Sequence, residues 1–132
     1  MPLLTRTFIK TAMVCFVLAL ALGIALALGV TNGLFPAYFH LLVFGWLTQL
    51  IFGVVFWMFP KYSTEKLRGS ETLGWWTYAL LNIGLLMRAI AEPLQAAQPN
   101  PFSGWALVIS AIFQFLAGLS FVFNTWKRVR EK

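Results

Sequence analysis

Charged residues and cysteine are scarce in this sequence of 132 residues. Aspartate is absent, the acidic residues number four, histidine and cysteine occur once each, and only 11% of residues are charged. Soluble domains carry about 25% charged residues, so this chain lacks the polar residues that a fully water-exposed surface requires. The lone Cys15 excludes an intrachain disulfide and any metal site built from several cysteines.

The motifs of soluble enzyme chemistry are also missing. The sequence contains no glycine-rich phosphate loop, no Ser/His/Asp set, no Cys/His ligand cluster and no pair of carboxylates at a catalytic spacing. Glu65, Glu71 and Glu131 fall in segments that we expect to be solvated. No catalytic residue is therefore assigned.

Apolar residues, in contrast, make up 60% of the chain and lie in four long runs. The runs cover residues 11–30, 37–59, 73–94 and 104–126, and each is close to the ~20 residues with which a helix spans a bilayer. The sequence therefore predicts an all-α, integral membrane four-helix bundle that forms one transmembrane domain over residues 1–132.

The positive charges are confined to segments that such a bundle places on one side. Nine of the ten cations share that side, and the opposite loops, 31–36 and 95–103, contain none; the nine are Arg6, Lys10, Lys61, Lys66, Arg68, Lys127, Arg128, Arg130 and Lys132. The positive-inside rule then predicts cytoplasmic termini in a bacterial-type inner membrane. We expect the basic tail 127–132 to anchor the last helix to anionic lipid headgroups, and we expect no nucleic-acid binding.

The first apolar run also resembles a secretory signal, with Ala25-Leu26-Ala27 in place of a cleavage site. A signal core has about 7–15 apolar residues, and this run is longer. We therefore expect the first helix to be retained in the mature protein.

Three titratable side chains, His40, Arg88 and Glu92, fall inside the predicted spans near their external ends. Such groups cost about 2.5–3.5 kcal/mol near a helix centre. Arg88 and Glu92 have the spacing of an intrahelical ion pair, and the guanidinium suits a ligand carboxylate. Gly84, one turn away, leaves room for a ligand or for a closely packed helix. Deeper polar residues, among them Gln49 and Asn82, are expected to form interhelical hydrogen bonds.

His40 has two interpretations that its surroundings leave open. The imidazole either hydrogen-bonds near the membrane interface or acts as an axial ligand of haem iron, for which one neutral ring nitrogen suffices. The face that it shares with Phe44, Leu47 and Ile51 is apolar and partly aromatic. That face fits a porphyrin, a helix or lipid equally well.

The segment that begins at His40, continues through Phe44-Gly45-Trp46 and Phe52-Gly53, and ends at Pro60 resembles one helix of a known superfamily. That helix is the second transmembrane helix of the catalytic subunit of haem-copper oxidases and nitric oxide reductases. The resemblance implies that His40 is an axial ligand of a b-type haem. In that superfamily arginines pair with the haem propionates, a role that would suit Arg88, although Arg88 matches no motif of the family. Residues 68–93 are similar to small four-helix proteins related to that superfamily.

Four helices and one histidine cannot supply the remaining ligands of an oxygen or nitric oxide reductase. The resemblance therefore implies a membrane haem protein for electron transfer or for gas or redox sensing, with no oxidase activity of its own. A second axial ligand would come from His40 of a second protomer, or from Met87 or Met58. The alternative is a non-catalytic subunit or assembly factor of a respiratory complex, in which His40, Arg88 and Glu92 form a structural polar cluster. A transporter is less consistent with four unbroken helices.

Overall fold

The computed structural model describes residues 1–30, 33–60, 64–65 and 69–129, and these ranges contain four helices and no strand. We name the helices α1 (Leu3–Ala27), α2 (Leu34–Met58), α3 (Glu71–Ala97) and α4 (Pro101–Thr125), and a short 3-10 turn, Trp126–Arg128, follows α4. The all-α fold class is thus confirmed. Helix α1 begins eight residues earlier than its apolar run, because Arg6 and Lys10 continue the helix with exposed side chains.

Three of the helices, α1, α2 and α4, are long and apolar enough to cross a membrane. Helix α3 has 27 residues and the necessary length, but it does not share their apolar composition. The difference lies on its inner face, where Asn82, Arg88 and Glu92 contact α2. Thr77 on this face is buried and donates to the carbonyl of Leu73 in its own helix. Its outer face is exposed and apolar, with Trp76, Ile83, Leu86, Ile90 and Leu94.

Successive helices run antiparallel. Between α1 and α2, Gly45 lies against Cys15 near the middle and Gly23 lies against Tyr38 near one end. Between α3 and α4, Ser70 bonds to Asn124 at one end, and Gln95 accepts a hydrogen bond from Ser103 at the other. The bundle therefore has a terminal end, with residues 1–3, 59–60, 64–65, 69–70 and 126–129, and a loop end, with residues 28–30, 33 and 98–100.

Two apolar clusters form the interior. The cluster in the terminal half comprises Leu4, Phe8, Phe56, Leu81 and Ala117. The cluster nearer the loop end comprises Cys15, Ala19, Leu41 and Leu85. Glycines bring the helices together, since a methyl group at Gly45 would lie 2.9 Å from the Cys15 Cβ and one at Gly53 would lie 2.7 Å from the Phe8 Cβ.

Arg128 corrects one prediction from the sequence. Its side chain is fully buried, its Nε donates to the carbonyl of Pro60 at 2.9 Å, and its Nη2 donates to the carbonyl of Phe59 at 2.7 Å. Arg128 thus stabilises the chain that leaves α2 and is not a headgroup anchor, whereas Lys127 beside it is exposed. The other cations of the predicted cytoplasmic side, Lys61, Lys66, Arg68, Arg130 and Lys132, lie outside the described residues.

Candidate functional site

A π-helical stretch in α2, Leu41–Thr48, separates two polar side chains that both face α3. Nine residues of regular α-helix make about two and a half turns and would place His40 and Gln49 on opposite faces. A π-helix bonds each residue to the fifth along the chain and holds roughly 4.4 residues per turn. The same nine residues then make about two turns, so His40 and Gln49 share one face of α2.

His40 lies about 9 Å inside the loop end, six residues after α2 begins. Its Nδ1 is 2.8 Å from the carbonyl oxygen of Pro36 and 2.9 Å from Oε1 of Glu92. Because both neighbours are acceptors, Nδ1 carries the proton. It donates this proton to the carbonyl of Pro36, and the Glu92 carboxylate lies within ion-pair distance of the same N–H. In the neutral ring the lone pair is then on Nε2, which lies 3.5 Å from Nη1 of Arg88. The ring of Phe44 lies nearly parallel to the imidazole, with 5.8 Å between the two ring centroids.

Arg88 and Glu92 form the ion pair that their spacing predicts. Nη1 of Arg88 lies 3.4 Å from Oε1 of Glu92, and this carboxylate oxygen is also the one that approaches His40. Glu92 is only 8% exposed. Oε1 of Glu92 therefore contacts both His40 of α2 and Arg88 of α3. Oε2 of Glu92 and Nε of Arg88 have no hydrogen-bond partner among the described residues.

Gln49 and Asn82 form a second polar layer nearer the bundle centre. Nδ2 of Asn82 donates to Oε1 of Gln49 at 2.5 Å and to the carbonyl of Tyr78 at 2.8 Å. Nε2 of Gln49 donates to the carbonyl of Gly45 at 2.9 Å. These residues thus hold α2 against α3 and do not contact the His40 cluster.

The space beside Gly84 is filled by α4. A methyl group at Gly84 would lie 3.0 Å from the carbonyl oxygen of Ser110 and 3.1 Å from Cγ of Gln114. Of the two uses that the sequence allowed for Gly84, the structure shows the closely packed helix. The sequence did not indicate the π-helical stretch, the carbonyl of Pro36 as the acceptor for His40, or the contact of Gln114 with α3 at Gly84.

The arrangement provides one oriented imidazole beside a neutral ion pair. No group of three or more His, Cys, Asp or Glu side chains that could hold a metal ion occurs among the described residues. Comparison with protein-family models, with curated proteins and with solved structures finds no match for this chain.

Proposed function

We propose that all four helices cross a membrane and that both termini are cytoplasmic. The support for a fourth crossing is that α3 lies antiparallel along α4 from Ser70 to Gln95, so a spanning α4 carries α3 across with it. Arg6, Lys10 and Lys127 are exposed at the terminal end, which fits the positive-inside rule. A reporter active only outside the cytoplasm, fused at the carboxyl terminus, is expected to be silent, and an active fusion would overturn this orientation.

Within that membrane we propose that the chain is a b-type haem protein with Nε2 of His40 as an axial ligand. The observation that carries the proposal is the double engagement of Nδ1 by Pro36 and Glu92. Metal-binding histidines characteristically donate their second ring N–H to a carbonyl or carboxylate, which fixes the tautomer and raises the basicity of the other nitrogen. His40 has this arrangement before any ligand is considered.

The other residues of the cluster fit this role to different degrees. The Nη1 atom of Arg88 lies 3.5 Å from Nε2 of His40, so the guanidinium has to turn away when iron is bound, and a haem propionate would then hold it. Phe44 packs on the imidazole, while Gly84 is covered by α4 and is not part of the proposed site. Bound haem supplies one-electron redox chemistry, and the chain supplies ligation, orientation and charge.

The need for a second axial ligand restricts the oligomeric states in which the iron can be six-coordinate. The chain has one histidine, so a second imidazole must come from His40 of another protomer, for which a symmetric dimer is the simplest arrangement. Met58 lies eighteen residues from His40 on the same helix, and the α-helical part Gln49–Met58 alone spans about 15 Å, so Met58 of the same chain cannot reach iron bound to His40. Met87 lies next to Arg88 and is the alternative within one chain.

Reduced-minus-oxidised spectra of the purified full-length protein, expressed with sufficient haem, test this function. We expect a Soret band in the parent protein and in Ile51→Ala, an exposed position on α2, and no band in His40→Ala. A parent protein without a Soret band would exclude haem binding. Glu92→Gln should keep the band and raise the midpoint potential, because it removes a negative charge and weakens the basicity of His40.

A second candidate function is favoured by the pairing of His40, Arg88 and Glu92 with one another inside a single protomer. In this case the cluster only joins α2 to α3, and the chain is a non-catalytic subunit or assembly factor of a respiratory complex. His40→Asn, which keeps a hydrogen-bonding side chain, should then leave folding and association unchanged. Arg88→Leu should disrupt both, because it leaves Glu92 buried without its cation.

A further inference from the structure

Three buried polar atoms, two on α3 and one on the face of α4 that contacts it at Gly84, have no hydrogen-bond partner among the described residues. They are Nε of Arg88, Oε2 of Glu92 and Nε2 of Gln114. A buried polar group without a partner costs about 1–3 kcal/mol, and lipid cannot replace the lost bond. Three such atoms in one region call for a partner that the protein itself does not provide.

Two of the three atoms belong to consecutive turns along one ridge of α3, and the third lies on α4 beside the next turn of that ridge. Glu92 and Arg88 are one turn apart, and Gly84 lies one further turn toward the bundle centre. Gln114 of α4 contacts this ridge at Gly84, where its Cγ lies 3.1 Å from the position of an added methyl group. The line from Glu92 to Gly84 covers eight residues, or about 12 Å of helix, and its outer end is at the loop end.

The chemistry of these atoms selects the partner. Nε of Arg88 and Nε2 of Gln114 are donors, whereas Oε2 of Glu92 is an acceptor. While Arg88 and Glu92 are paired with each other, their charges cancel, and a free ion beside them would have no counter-charge. Water is neutral, donates and accepts, and is small enough to enter between packed helices after slight side-chain movements.

The line ends at the middle of the bundle. Beyond Gln114, Gln49 and Asn82 satisfy each other, and the apolar cluster of the terminal half closes the interior. We propose that water enters from the loop end along the contact of α3 with α4, reaches Gln114, and stops there. This water path connects the His40 cluster to the solution on one side of the membrane, so His40 and Glu92 exchange protons with that side only.

Reaction of single cysteines with a charged, membrane-impermeant thiol reagent tests the path in proteoliposomes of the full chain. The background is Cys15→Ala, and the probes are Gln114→Cys and the isosteric Ser110→Cys, whose backbone also faces Gly84. The controls are Ile83→Cys, which faces outward beside Gly84, and Leu81→Cys, which lies in the apolar cluster. Monodisperse elution in detergent shows which variants are folded.

We expect the folded probes to react about tenfold faster than both controls, as side chains that line water in a membrane should. The reaction should also occur only when the reagent is on the side that faces the loop end. Equal rates in probes and controls, or reaction from the terminal side, would overturn the proposal. The result does not depend on haem, since the same measurement applies to a protein with no Soret band.

Discussion

The side-chain amides of Gln49 and Asn82 bond to one another across α2 and α3, and Gln49 has no exposed surface. Removal of one partner from such a pair leaves the other unsatisfied. We expect Asn82→Leu to lower the free energy of unfolding in mixed detergent micelles by about 1–3 kcal/mol, because Oε1 of Gln49 loses its donor.

The double variant Gln49→Leu/Asn82→Leu should be more stable than Asn82→Leu alone, because two apolar side chains leave no unsatisfied polar group at the contact. Gln49→Leu alone should cost less than Asn82→Leu, because Asn82 keeps its bond to the carbonyl of Tyr78. Additive effects of the two substitutions would show that the amides do not interact.

The π-helical stretch of α2 gives a second prediction. Deletion of Val43 removes one residue from Leu41–Thr48 and allows the segment to become α-helical. His40 and Gln49 are then eight α-helical residues apart, so His40 rotates by about 80° relative to Gln49 and loses Glu92. We therefore expect His40→Ala to destabilise the parent protein, because it removes the contacts with Pro36 and Glu92, and to have no further effect on unfolding in the deletion variant.

This comparison forms a double-mutant cycle in which the deletion and His40→Ala remove the same contact. The control is Thr11→Ala, which removes a bond to the hydroxyl of Tyr78 elsewhere in the bundle. Thr11→Ala should have the same effect in both backgrounds. An undiminished effect of His40→Ala after the deletion would show that the π-helical stretch does not orient this residue.

The sequence was sufficient to predict the helices but not their rotation. Apolar runs report the length of a span, and the scarcity of charge makes His40, Arg88 and Glu92 conspicuous. The orientation of His40 toward Glu92 could not be derived, because it depends on the π-helical stretch, and a regular helix would have separated His40 from Gln49. The ion pair of Arg88 with Glu92 is local and follows from spacing alone.

Arg128 shows a second limit of sequence reasoning. In the sequence it is one of several cations after the last apolar run and looks no different from Lys127. Its burial depends on the carbonyls of Phe59 and Pro60, which are distant in the chain. A pattern of charge predicts the side of the membrane but not which cation folds back onto the protein.

Arg128 and Lys127 therefore make a matched pair for a stability test. Arg128→Met removes two hydrogen bonds to carbonyls and a guanidinium 5.9 Å from the centre of the Phe56 ring. We expect the free energy of unfolding to fall by about 2–4 kcal/mol. Lys127→Met, at an exposed position, should change it by less than about 0.5 kcal/mol. Similar effects of the two substitutions would contradict a structural role for Arg128.

Gly69 and Gly118 provide the last matched pair, at the same end of the bundle. Gly69 has a φ of 73°, and a methyl group there would lie 2.6 Å from Oδ1 of Asn124. That oxygen accepts the backbone N–H of Ser70, so Gly69→Ala strains the backbone and disturbs the bond that holds the start of α3 to α4. We expect the free energy of unfolding to fall by about 2 kcal/mol or more.

Gly118 lies within α4, and an added methyl group would have no atom within 4 Å. Gly118→Ala should therefore leave stability unchanged or raise it by up to about 1 kcal/mol through helix propensity. Urea unfolding of both variants in the same detergent compares them directly. If Gly69→Ala were as stable as Gly118→Ala, the Asn124 contact would contribute nothing to the packing of α3 on α4. The proposal that α3 crosses the membrane would then be supported by the contact of Gln95 with Ser103 but not by that of Ser70 with Asn124.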